Sequence, residues 1–193
     1  GDSVTLGAGA FTVQVLDDIP VALQGTVALG TVYEDGLANT QSTGNPEPGH
    51  TNVALTITSA QLKTLVSAGA DEDVTFSLNG LVGNPSGLTS HNLPVTYAVV
   101  GNTLTASAGA NTVFTIVDDG NGTFTFTLQD QVDHLPLADG GGDEETLTLN
   151  IASAFKATDF DGDSVALNGT LNVVIENDVP AAVSQPAGIH AAV

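Results

Sequence analysis

The sequence has no cysteine, methionine or tryptophan, and among its 193 residues only Lys63 and Lys156 are basic. Without cysteine, neither disulfides nor thiolate metal sites contribute, and redox chemistry gives no reading of the compartment. Against the two lysines stand 22 carboxylates, 16 Asp and 6 Glu, for a formal charge of −20. Such a field repels nucleic-acid phosphates and anionic lipid, so no nucleic acid and no direct membrane partner is expected. No apolar run approaches a membrane span, and no signal peptide heads the sequence. Aromatics make up only 5% of residues, while Val, Leu, Ala and Ile dominate a hydrophobic share of 41% beside abundant Thr and Gly. That composition favours β-structure.

The chain contains its own echo. Gly1-Asp2-Ser3-Val4 recurs as Gly162-Asp163-Ser164-Val165, and Val15-Leu16-Asp17-Asp18-Ile19-Pro20 recurs, one residue displaced, as Val174-Ile175-Glu176-Asn177-Asp178-Val179-Pro180. A period of about 160 residues exceeds solenoid repeats and is long enough for each copy to bury its own core. The expected organisation is residues 1–16 as the tail strand of a preceding repeat, 17–180 as one complete repeat, and 181–193 as the start of the next.

Period-two alternation predicts strands over 26–33, 53–58, 74–78, 95–100, 113–117, 123–128, 146–151 and 171–175, separated by Gly, Asn, Asp or Pro. Short strands with turn punctuation predict an all-β fold, an antiparallel sandwich. One short helix is expected over 59–66, with Ser59 as its cap and Leu62, Leu65 and Val66 on one face. Asp118-Asp119-Gly120-Asn121-Gly122 reads as a hairpin connection rather than a metal loop. Residues 37–51, with Pro46, Pro48 and Gly49, and residues 79–92 lack periodicity and read as loops.

The acids cluster with Gly and Asn at turns. Solubility alone is one explanation; oxygen cages for a hard cation are the other. The strongest motif is Asp159-Phe160-Asp161-Gly162-Asp163, where alternate carboxylates and a flexible glycine let several oxygens face one centre. Ca²⁺, with six to eight oxygen ligands, rewards that arrangement. An EF-hand needs a Glu near the twelfth loop position, and Thr170 stands there, so further ligands must come from elsewhere.

Strand direction indicates where. If 21–33 is the first strand and 165–175 the last, both run the same way, spanning roughly 35 to 45 Å at ~3.3 Å per residue. Asp17 and Asp18 then fall beside Asp159, Asp161 and Asp163 at the incoming pole. Glu34 and Asp35 fall beside Glu176, Asn177 and Asp178 at the outgoing pole. Calcium is expected at both.

Glu34-Asp35 after the first strand, the Asn177-Asp178-Val179-Pro180 linker and the Asp-x-Asp loop resemble the calcium-binding pattern of cadherin-like repeats. More closely, four stretches are similar to the long tandem repeats of giant RTX-type adhesins, the biofilm proteins that Gram-negative bacteria export by type I secretion. They are Gly120-Asn121-Gly122-Thr123-Phe124-Thr125-Phe126-Thr127-Leu128, Val132-Asp133-His134-Leu135-Pro136, Leu147-Thr148-Leu149, and Ala157-Thr158-Asp159-Phe160-Asp161-Gly162-Asp163-Ser164. The resemblance implies an Ig-like, Ca²⁺-stiffened extender at the cell surface. It would hold a distal adhesive domain away from the cell, with neighbouring repeats as its partners, and the isolated unit is expected to be a monomer. The Gly-Gly-x-Gly-x-Asp nonapeptide of RTX β-rolls is missing, since Gly140-Gly141-Gly142-Asp143 is a single run that reads as a loop.

Other chemistries are weaker. His50, His91, His134 and His190 show no metal spacing and read as solvated or turn-capping side chains, with His134 expected in a structural hydrogen bond. No Gly-x-Ser-x-Gly occurs, and an enzyme is not expected. Alternating Thr at 103–105, 123–127 and 146–148 reads as the outer face of strands rather than an ice-binding surface. A glycan- or peptide-binding module using loops 37–51 or 79–92 is the alternative function, though those loops lack aromatics for sugar stacking.

Overall fold

Alternating apolar residues become an all-β, Ig-like sandwich with one short helix in the computed structural model, which describes residues 3–5, 7–9, 13–14, 16–70, 72–80, 88–134 and 144–179. The glycine run at 140–142, residues 81–87 of the expected middle loop, and 181–193 lie outside the described residues.

The strands are β1 (Val21–Ala22), β2 (Thr26–Tyr33), β3 (Ala54–Thr58), β4 (Val66–Ser67), β5 (Thr75–Leu78), β6 (Thr89–Ser90), β7 (Leu93–Val100), β8 (Thr103–Ala108), β9 (Asn111–Asp118) and β10 (Thr123–Leu128). They continue as β11 (Thr146–Asn150), β12 (Phe155–Thr158), β13 (Ser164–Ala166) and β14 (Thr170–Glu176). A six-stranded antiparallel sheet has the order β3-β10-β9-β8-β7-β6. Smaller sheets have the orders β11-β14-β2 and β13-β12-β5, and β1 pairs with β4.

The large and small sheets meet through apolar side chains supplied by the alternation. In β10, Phe124, Phe126 and Leu128 are buried while the intervening threonines lean outward. Phe124 meets Phe155 of β12 edge-on, with ring centroids 5.0 Å apart. Phe114 of β9 stacks on Phe126 at 4.9 Å. Aromatic pairs of this kind add about 0.5–1.5 kcal/mol each beyond the area they bury.

Six strands exceed the eight expected from periodicity. β8 carries Ala106, Ser107 and Ala108, whose weak strand propensity masks the pattern. β1, β4, β6, β12 and β13 have two to four residues, too short to show a period. The first and last strands are also each broken in two. Gly25 and Gly169 approach so closely that a Cβ on Gly169 would lie 2.7 Å from the Leu23 carbonyl and 2.9 Å from that of Gly25. The chain bends there and re-pairs.

Helix α1 (Ser59–Lys63) is shorter than expected, and Thr58 caps it rather than Ser59. The Thr58 hydroxyl accepts from Gln61 N, while the Gln61 side chain accepts from Thr58 N at 2.8 Å, a capping box. Ser59 is spent elsewhere, its hydroxyl donating to the Gly122 carbonyl at 2.6 Å. That bond pins the β9–β10 hairpin, which forms at 118–123 as the turn chemistry predicts.

β2 and β14 pair in parallel, from Thr26 opposite Thr170 to Tyr33 opposite Glu176. A bulge absorbs Leu29, with Gly30 at φ +130°, a value few other residues adopt. Because the two strands end level, the residues after Tyr33 and those after Glu176 emerge side by side.

Candidate cation-binding ends

At the incoming end, the β12–β13 hairpin places residues 159–163 between Thr158 and its partner Ser164. Asp159 is only 5% exposed and organises the loop. Its Oδ1 accepts from Gly162 N at 3.1 Å and Asp163 N at 2.8 Å, while its Oδ2 is buried with no hydrogen-bond partner. Gly162 takes φ +111°, which closes the curl. Asp161 and Asp163 then face outward, and Asp17 from the incoming segment joins them, one carboxylate oxygen of each lying within 4.8 Å of the others. Asp18 diverges from this group: its Oδ2 accepts from Ala70 N at 2.8 Å and ties the segment to the loop after β4. A Cβ on Gly69, already at φ +72°, would strike that carboxylate.

At the outgoing end a 3₁₀ turn, Glu34–Gly36, follows β2 and buries both acids. Glu34 turns inward. Its Oε1 accepts from Val132 N at 2.7 Å and lies 3.3 Å from His134 Nε2, the structural bond expected of that histidine. Asp35, 1% exposed, faces Asp178. Burial, followed by the charge of Asp178 and a hydrogen bond with it, pushes Asp35 up to about 6. Asp178 in turn accepts from Asn45 N, at 3.2 Å to each oxygen. Asn177 is committed to Glu145, accepting from its N–H at 2.7 Å and donating to its carboxylate.

Two residues that sequence reasoning missed complete this end. His50 Nδ1 lies 2.9 Å from Glu176 Oε1 and 3.4 Å from Glu144 Oε2. Asp35, His50 and Glu144 each present a donor atom within 4.8 Å of the other two. Burial and the neighbouring Glu144 raise the Glu176 carboxyl, with His50 opposing. No local motif marks His50 or Glu144. Topology does: β3 and β11 both run back from the outgoing end, so the residues just before each must start there.

Thus the structure gathers Asp17, Asp161 and Asp163 at one end and Asp35, Glu176 and Asp178 at the other. It turns Asp18, Glu34, Asp159 and Asn177 to backbone or side-chain hydrogen bonds within the fold. Elsewhere, His91 sits in the β6–β7 turn at φ +52° with Nε2 3.1 Å from the buried Asp130, consistent with a turn histidine. An open groove of about 490 Å³ runs along Leu37–Gln41 and Gln129. No aromatic lines it, and its amides are occupied: Asn39 donates to the Gln129 carbonyl and Gln41 to that of Thr112.

No curated protein and no solved structure matches the chain. A family profile does, over residues 7–172, and it places the chain in DUF5801, a domain of unknown function.

Proposed function

We propose that this domain is a spacer of a surface adhesin. Strung in tandem, it binds cations at its acidic ends, Ca²⁺ at the incoming one, and so fixes the angle between neighbours. The observation that carries the reading is the pair of acidic clusters, one just before β1 and β13 and the other just after the parallel strands β2 and β14, so that the length of the first and last strands lies between them.

The internal echo supports the array. Aligning Ile19-Pro20 with Val179-Pro180 makes Asp18 the counterpart of Asp178, and Val13 that of Val173. Val173 is fully buried in β14, whereas Val13 is 84% exposed, as a strand residue parted from its own sheet would be. Asp178 grips Asn45 of the unit behind it, and Asp18 grips Ala70 of the unit ahead. One linker carboxylate in an array would therefore hold both neighbours.

Calcium adds binding energy to the folded state. At a hundredfold excess over Kd the gain is about 2.7 kcal/mol, which for a domain of this size raises Tm by roughly 5–10 °C. In low-calcium cytosol the carboxylates repel and the chain stays loose enough to pass a secretion channel; outside, the ion completes the fold. Melting the chain in excess Ca²⁺ and in EDTA tests this, with Asp161→Asn/Asp163→Asn as the control that removes the increment. Equal melting temperatures in the two buffers would overturn it.

A further inference from the structure

Six buried side-chain nitrogen or oxygen atoms lack a hydrogen-bond partner among the described residues, and three of them, Asp35 Oδ2, His50 Nδ1 and Glu176 Oε1, lie at the outgoing end. Asp35 is 1% exposed, so its unpartnered oxygen is shut away from water, and one of its carboxylate oxygens lies within 4.8 Å of donor atoms of His50 and Glu144. We propose that this end holds a transition-metal ion of the zinc class, ligated by His50 Nδ1 and one carboxylate oxygen each from Asp35 and Glu144, with Glu176 beside the imidazole. The inference rests on the reading of the two ends as cation sites and gives the outgoing end a different class of ion from the incoming one.

Donor chemistry distinguishes the ends. The incoming cluster offers only carboxylate oxygens, which suit a hard cation with many ligands. The outgoing cluster offers an imidazole nitrogen with a few carboxylates, the mixture that zinc accepts in four-coordinate sites. With metal–ligand bonds near 2.1 Å, neighbouring donors of a tetrahedron stand about 3.4 Å apart. The distance from His50 Nδ1 to Glu144 Oε2, 3.4 Å, matches that value, and Glu176 Oε1 stands closer, at 2.9 Å.

An ordinary ion pair explains the geometry less well. Both glutamates approach the same nitrogen, which carries at most one proton, and neither contact has hydrogen-bond geometry. Asp35, Glu144 and Glu176 bring three carboxylates around one imidazole, Asp178 adds a fourth against Asp35, and neither lysine forms an ion pair among the described residues. The imidazole is held in place by stacking on Tyr33, with ring centroids 4.7 Å apart and planes inclined by 26°.

The test is a Zn²⁺ titration of the whole chain by calorimetry with Ca²⁺ held at millimolar concentration, repeated with Co²⁺ to read its visible spectrum. One zinc per chain is expected, with the intense absorption of four-coordinate cobalt. His50→Ala and Glu144→Gln should each weaken zinc binding by tenfold or more, while His91→Ala and Asp161→Asn leave it unchanged. An unaltered calcium-induced Tm increment in the His50 and Glu144 variants shows that they are folded. Zinc affinity equal to wild type in His50→Ala, or a weak octahedral cobalt spectrum, would overturn the proposal. Zinc binding without calcium stabilisation would sink the calcium reading and leave this one standing; calcium stabilisation with a silent zinc titration would do the reverse.

Discussion

Glu34 Oε1 accepts the backbone N–H of Val132 at 2.7 Å, joining residues 98 apart in the chain. A carboxylate that by position belongs to the outgoing acidic cluster is instead a buried structural acceptor, with His134 as its second neighbour. Hydrogen bonds to charged groups contribute about 1.5–3 kcal/mol. Glu34→Ala should therefore destabilise the domain by about that amount, equally in EDTA and in excess Ca²⁺, as read by denaturant unfolding. A loss seen only in the presence of Ca²⁺ would make Glu34 a cation ligand instead.

Asp35 makes stability depend on pH in a direction opposite to that of most acids. Its carboxyl titrates near 6 in the folded protein against 3.8 in the unfolded chain, because burial and Asp178 disfavour the charge. The folded state binds the proton more tightly, so Asp35 opposes folding above about 6 and ceases to do so below the unfolded value. Glu176, also raised by burial, acts with the same sign. In EDTA, wild type should gain stability as pH falls from 7 toward 5, and Asp35→Asn should gain less. Parallel curves for the two proteins would refute this.

Asp159 shapes the incoming loop from within, through its two backbone acceptor contacts. Asp159→Ala removes both and is predicted to weaken Ca²⁺ binding more than tenfold, although Asp159 is not in the three-carboxylate group. Asp159→Asn keeps an acceptor oxygen and should retain the loop with a smaller loss. Isothermal titration of the pair separates a shaping role from direct ligation.

Gly44 packs against the turn that carries Glu34 and Asp35, and a Cβ there would strike the Glu34 carbonyl. Backbone cannot yield as a flexible side chain can, so Gly44→Ala should cost about 1–3 kcal/mol. The same change should weaken cation binding at the outgoing end while leaving the Asp161 and Asp163 site intact. Gly80→Ala, whose new methyl group meets nothing within 4 Å among the described residues, serves as the neutral control.

Much of the fold is legible in the residues themselves. Thr123–Leu128 shows its period openly, because threonine alternates with large apolar side chains over six residues. Phe155–Thr158 does not, since four residues with a lysine and an alanine carry no readable period. The incoming cluster is visible because its core is one pentapeptide. His50 and Glu144 are not, because the outgoing cluster exists only after four separate segments return to one end. Sequence also cannot say which acids the fold consumes: Asp18 and Asp161 look alike in the chain, yet one caps a backbone N–H while the other points outward.

Small-angle scattering from two linked copies measures the central claim directly, since it reads the angle between neighbours rather than the stability of one. Saturating Ca²⁺ should raise the maximum dimension and narrow the distance distribution to that of a stiff rod, and EDTA or Asp161→Asn/Asp163→Asn should abolish the change. Superimposable profiles with and without calcium would contradict it.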